Sequence, residues 1–176
     1  MTRPIRLLVA TIGVTVLLGS AGCGSDDGGA VRKTGESGSG GASAVACVPV
    51  GEPSTAATTV TVDLDEWKIS PAEDSVPAGI IAFEAVNKGK VPHELVVVKG
   101  VAPDDLPETD DGALDEAKLP DGALLGEIEG FPDGETCTGV FELAAGDYTL
   151  VCNITENEGK KEIHLANGMV TSFTVD

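Results

Sequence analysis

A chain of 176 residues carries only two histidines, His93 and His164, and one methionine beyond the initiator, Met169. Cys152 stands between the histidines, and Met169 follows His164 by five positions. A thiolate and a thioether are soft donors, and imidazole accommodates either oxidation state of copper. Cys152, His93 and His164 in a plane with Met169 as a weak fourth donor therefore suit a copper ion that gains and loses one electron. Zinc suits the set less well, because a thioether is a poor zinc ligand and the usual Cys and His pairs are absent. Taken singly, each residue has a plainer explanation. His93 beside Pro92 is a strand-end histidine, Cys152 a buried thiol or a disulfide partner, and Met169 a core filler. Their joint placement is what points to a metal.

The elements that would position these residues read as β-structure. "TTVTVDLDEWKI" alternates apolar and polar residues with period two and is rich in Thr and Val. "IIAFEAVNKG" and "HELVVVKG" are strand-length runs closed by glycine, and "ETCTGVFELAAGDYTLVCNI" reads as two strands with a turn at Ala-Gly-Asp. "MVTSFTVD" is a closing strand with Thr171, Phe173 and Val175 on one face. Prolines fall between the runs or at their ends, where a missing N–H costs little. Six or seven short strands imply an all-β fold, an antiparallel Greek-key β-sandwich. Between Asp104 and Glu135 twelve acidic residues face one base, Lys118. This is an acidic excursion expected on the sandwich rim, with "LDEAKL" forming a helical turn or two.

Residues 1–22 read as an export signal, with Arg3 and Arg6 ahead of an apolar run, Leu7 to Leu18, shorter than the roughly 20 residues that span a bilayer. The small residues before Cys23 resemble the lipobox of bacterial lipoproteins, with Ser20 where Leu, Val or Ile is usual. That resemblance implies lipidation of Cys23 and a chain exported and anchored on the outer face of the cell membrane. Residues 23–46 would be its Gly/Ser-rich tether, too poor in apolar side chains to fold and reaching ~25 Å. The folded domain is expected over 47–176. Net charge is −18, becoming about −20 without Arg3 and Arg6. This argues against nucleic acid as a partner and allows steering toward a basic one. If Cys23 carries lipid, three cysteines remain, so in an oxidising compartment two pair and one thiol is left over.

Three segments resemble the cupredoxins, or blue copper proteins, closest to an exported bacterial branch near sulfocyanin and plastocyanin. "VPAGIIAFEAVNKGKVPHELVVVKG" has a Pro-Ala-Gly turn, a strand ending in Asn-x-Gly and the first histidine. "GEIEGFPDGETCTGVFELAAGDYTLVCNI" has Gly-Glu-Ile-Glu and the Tyr-x-Leu-x-Cys-Asn run. "HLANGMVTSFTV" has a histidine, four residues and a methionine before the last strand. The resemblance covers about residues 57–176. It implies His93, Cys152 and His164 as equatorial copper ligands and Met169 as the axial one, and leaves Cys47 and Cys137 to pair. The rival bridge, Cys137–Cys152, would remove the metal thiolate.

The spacing departs from the family in one place. Eleven residues, 153–163, separate Cys152 from His164, where relatives have a few with a tight Pro-Gly. Loop closure grows slowly with length, so the ends can still meet, but a less stiff ligand loop is expected. Glu94, where many relatives carry Asn, is expected to be solvated, the alternative being a group that supports the ligands from behind, and the charged residues of the insertion, Glu156, Glu158, Lys160, Lys161 and Glu162, to form a wet loop.

The resemblance implies a monomeric single-electron carrier rather than an enzyme. His164 would be the more exposed imidazole through which electrons pass, and a cytochrome or oxidase with a basic surface the partner. Two alternatives stay open: copper storage or delivery, and a metal-free scaffold or adhesion domain.

Overall fold

The computed structural model describes residues 46–156 and 161–176; the expected signal, Cys23 and almost all of the tether, like Glu158 and Lys160, lie outside them. The chain forms β1 (Thr58–Asp65), β2 (Lys68–Pro71), β3 (Ser75–Val76), β4 (Gly79–Asn87), β5 (His93–Lys99), β6 (Leu124–Phe131), β7 (Thr136–Leu143), β8 (Gly146–Val151), β9 (Thr155–Glu156), β10 (Glu162–Ile163) and β11 (Val170–Val175). One sheet has the order β2-β1-β4-β7, the facing sheet the order β3-β11-β8-β5-β6, and β9 and β10 form a ribbon of their own.

Period-two patterning sets which face each strand buries. In β1 Val60, Val62 and Leu64 point inward while Thr59, Thr61 and Asp65 stay exposed. The core between the sheets gathers Phe83 from β4, Phe141 from β7 and Phe173 from β11. Phe83 meets Phe173 edge-on at 5.3 Å between centroids and Phe141 at 6.0 Å. Such pairs add about 0.5–1.5 kcal/mol beyond burial. Gly139 is required in β7, because a Cβ there would stand 2.6 Å from Cγ1 of Ile128 on the opposite sheet.

The sandwich is mixed rather than purely antiparallel. β1 runs parallel to β4, and β3 parallel to β11. The chain leaves the first sheet after β2, passes through β3 in the second and returns as β4, so it re-enters beside β1 in the same sense. β7 and β8, adjacent in sequence, lie in opposite sheets. The Tyr148 hydroxyl donates to the Ala144 carbonyl at 2.7 Å and pins that crossing. The run "TTVTVDLDEWKI" is likewise two strands, β1 and β2, turning at Glu66–Trp67.

β5 is buried on both faces, which explains its unbroken Leu-Val-Val-Val run. Leu95 and Val97 enter the central core, whereas Val96 and Val98 join Leu106, Leu114, Ala123, Val151 and Leu165 in a second cluster. The acidic excursion therefore clasps the outer face of the second sheet through Leu106 and Leu114, with Asp104, Asp105, Asp110 and Asp111 exposed. Its helical content is two three-residue 3₁₀ turns, Pro103–Asp105 and Glu116–Lys118.

Cys47 and Cys137 form a disulfide across a sequence separation of 90. It ties the start of the described chain to β7, where Val50 also exchanges backbone hydrogen bonds with Thr138 and Val140. Closing so long a loop contributes about 4–5 kcal/mol at most through the unfolded state. The double variant Cys47→Ala/Cys137→Ala is expected to lose about 2–5 kcal/mol, read as a lower urea midpoint that reductant does not move further.

Candidate metal centre

His93 opens β5, Cys152 directly follows β8, His164 follows β10, and Met169 directly precedes β11. All four meet at one pole of the sandwich with no exposed surface. One ligand atom each from His93, Cys152 and His164 lies within 4.8 Å of the others. Nδ1 of His164 stands 3.3 Å from Nδ1 of His93 and 3.2 Å from Sγ of Cys152. Cys152 is the free cysteine of the described residues. Three buried donors aimed at one small volume fit a metal ion, and their softness suits copper.

Backbone bonds hold each of these residues. Asn87, buried at the end of β4, donates through Nδ2 to the carbonyls of Val91 (2.9 Å) and Phe131 (3.1 Å) and accepts from the Gly89 N–H through Oδ1. The loop leading to His93 is thereby set, which gives the Asn-x-Gly run a physical role. Met169 is strung between His164 and Cys152: its N–H donates to the His164 carbonyl at 3.0 Å, and its carbonyl accepts from the Cys152 N–H at 3.1 Å. Gly168, at φ +98°, allows that tight turn.

The insertion between Cys152 and His164 is stiffer at its base than its length suggests. Thr155 pairs with Ile163 and Glu156 with Glu162. The His164 N–H donates to the Ile154 carbonyl at 3.0 Å, and the side chains of Ile154 and Ile163 are buried. The antiparallel ladder shortens the effective span from Cys152 to His164.

Two further expectations are corrected. His164 is not the exposed imidazole, because its ring is fully buried with Trp67 against it edge-on, 4.8 Å between centroids. Glu94 is not a solvated side chain. Although part of its surface meets solvent, its carboxylate lies against the outer face of β5 and accepts the Asn153 N–H at 2.7 Å. The Glu94 N–H points at Sγ of Cys152, 3.5 Å away. Asn153 continues the network, receiving the Leu114 N–H at 2.6 Å and donating to the Leu114 carbonyl and Glu116.

Trp67 and Glu66 were not evident as site residues from the sequence. The available signal was Glu66 itself, a charge at the inward phase of the Val60-Val62-Leu64 alternation. Oε1 of Glu66 lies 3.6 Å from Nε2 of His93, too far for a hydrogen bond but close enough for electrostatic contact. Nε2 of each histidine is buried without a hydrogen-bond partner among the described residues.

Burial sets the protonation of the cluster. It pushes His164 down to about 4, helped by His93 and opposed by Glu66. Burial also lowers His93, against the pull of Glu66 and Asp65. Both imidazoles are thus neutral near pH 7, with a lone pair each. Burial, then the Glu94 charge, raises the Cys152 thiol far above its usual range; coordination to a metal would deprotonate it. Burial pushes Glu94 up to about 8, reinforced by Glu127, and Glu127 up to about 7, reinforced by Glu129 and Glu116.

No protein-family model matches the chain, and no curated protein matches it in sequence. Among solved structures it is similar to auracyanin B, at 26% identity and TM-score 0.51, over 77% of this chain and 96% of that one. A dithionite-reduced auracyanin from Roseiflexus castenholzii matches at 24% identity and TM-score 0.49, over 69% and 98%. Auracyanin A from Chloroflexus aurantiacus, described as a "blue" copper protein, matches at 18% and 0.45, over 67% and 98%.

The carboxyl pair gives a pH signature with a defined sign. The folded chain keeps protons on Glu94 and Glu127 that an unfolded chain, with carboxyls near 4.5, has released, so stability falls as pH rises toward 8. The lowered histidines act in the opposite direction only below about 6.5. Between pH 6.5 and 8 the metal-free protein is expected to lose stability and Glu127→Gln to flatten the slope, measured as urea midpoints across that range.

Proposed function

We propose that this chain, a cupredoxin by fold, holds one copper ion between His93, Cys152, His164 and Met169 and carries single electrons. The observation behind this reading is the convergence of a thiol and two imidazole nitrogens within 4.8 Å, out of reach of solvent. When bound, copper would supply a one-electron couple that these mixed soft and borderline donors tolerate in both states. The protein's own groups do the rest. His93 and His164 present neutral Nδ1 atoms. Cys152 gives up its proton on coordination, and the Glu94 N–H directed at its sulfur favours the thiolate. The ladder of β9 and β10, with the bonds through Met169, keeps the ligands in one arrangement, so little has to move when charge changes. Burial excludes water. Trp67, partly exposed and in ring contact with His164, offers the route for electrons that an exposed imidazole edge would otherwise provide.

The soluble domain is expected to take up one equivalent of Cu(II) and turn intensely coloured, with the colour bleached and restored by one-electron reduction and oxidation. Cys152→Ser should abolish the colour while far-UV circular dichroism stays β, and Met169→Leu should keep it at a shifted potential. A colourless wild-type protein with added Cu(II) would sink the reading.

The same reading extends to the cell. Lipidation of Cys23 and a tether over residues 23–46 would keep the carrier on the outer face of the membrane, and the exposed acidic residues of 104–135 would meet a basic face on a cytochrome or oxidase. Among the described residues no helix is long and apolar enough to cross a membrane. Cys23→Ser is expected to move the protein from the membrane fraction to the soluble exported fraction; unchanged partitioning would refute the anchor.

A further inference from the structure

The β1–β2 turn brings Glu66 to the far side of His93 from the donor cluster. A histidine that offers Nδ1 to a metal carries its remaining proton on Nε2. That nitrogen is buried, and among the described residues no hydrogen-bond acceptor reaches it. The nearest charge is Oε1 of Glu66 at 3.6 Å, from a side chain only 24% exposed, with the neighbouring Asp65 acting on the ring more weakly. The carboxylate is held in place from behind: the same Oε1 accepts the N–H of Lys90 at 2.5 Å and of Val91 at 3.2 Å. Gly89 makes the approach possible, since a Cβ there would fall 2.5 Å from Oε1 of Glu66 and 2.6 Å from Nε2 of His93. A fixed negative charge therefore faces the outer nitrogen of a ligand histidine, in a setting of reduced screening.

We propose that Glu66 is a tuning residue: its carboxylate, in electrostatic contact with Nε2 of His93 at 3.6 Å, stabilises the oxidised, more positive state of the metal centre, holding the reduction potential down. The inference rests on the copper-carrier reading. When one electron leaves, the centre gains one positive charge, and an anion behind the imidazole favours that state both directly and by making the ring a stronger donor. Glu66→Gln keeps an oxygen for the Lys90 and Val91 N–H groups and removes the charge alone.

The test compares wild type, Glu66→Gln, Glu66→Asp and, as a control for net charge, Glu142→Gln on the exposed face of β7. The readouts are the midpoint potential, the ratio of Cu(I) to Cu(II) affinity, and the nitrogen NMR signals of His93 in the metal-free protein. Glu66→Gln is expected to raise the Cu(I)/Cu(II) affinity ratio at least tenfold, an upward shift of about 59 mV for a one-electron couple, with the colour retained. Glu66→Asp should fall between it and wild type, and Glu142→Gln should match wild type. The His93 Nε2 signal should move in metal-free Glu66→Gln. A coloured Glu66→Gln protein with an unshifted potential, or a Glu142→Gln shift of equal size, overturns the inference. A wild-type protein that takes up no copper overturns the carrier reading instead, and an unmoved His93 signal in the metal-free variant refutes the Glu66 contact by itself.

Discussion

Three polar donor atoms packed together away from water are unfavourable unless something satisfies them. At this pole Nδ1 of both histidines and Sγ of Cys152 face one another, and the sulfur also receives the Glu94 N–H. Much of the surrounding architecture serves to hold that arrangement: the amide of Asn87 behind His93, the backbone bonds that pass through Met169, and the ribbon that returns the chain from Cys152 to His164. Each ligand approaches along a different strand end. The site is therefore assembled when β5, β8 and β11 pair side by side in the second sheet and the β9–β10 ribbon returns the chain to His164, and it depends on long-range pairing as much as on local sequence.

The outer face of the second sheet supports the same pole. Apolar side chains of the excursion, Leu106 and Leu114, cover Val96, Val98 and Val151, while Asn153, next to Cys152, grips the backbone of Leu114. A segment that reads as acidic surface in the sequence thus also acts as a brace, with carboxylates outward and leucines inward. The raised pKa of Glu94 and Glu127 is a by-product of that covering, which brings Glu116 close to the carboxyls already on the sheet.

Strands with a clean two-residue alternation, such as β1 and β11, were legible because burial on one face imposes the pattern directly. The four residues at the pole were legible by scarcity: His and Met occur almost nowhere else. What escaped was relational. Glu94 reads as polar and hence solvated, but its exposure depends on Asn153 and on the excursion. The 153–163 stretch reads as long and charged, yet the pairing of Thr155 with Ile163 lies in a ladder with too few residues to show a period. The Greek-key expectation described the layers but not the parallel neighbours, because strand direction depends on which sheet the chain visits between β1 and β4. Glu66 and Trp67 look like the continuation of a strand until the turn between β1 and β2 is seen.

Trp67 is the only indole in the whole chain, and it lies in contact with the ring of His164. A tryptophan so placed is an intrinsic fluorophore next to the candidate metal centre, free of the background that other indoles would add. Whatever alters His164, whether occupancy, oxidation state or displacement of the ring, alters the light emitted by this one side chain, and the protein reports its own state without a label.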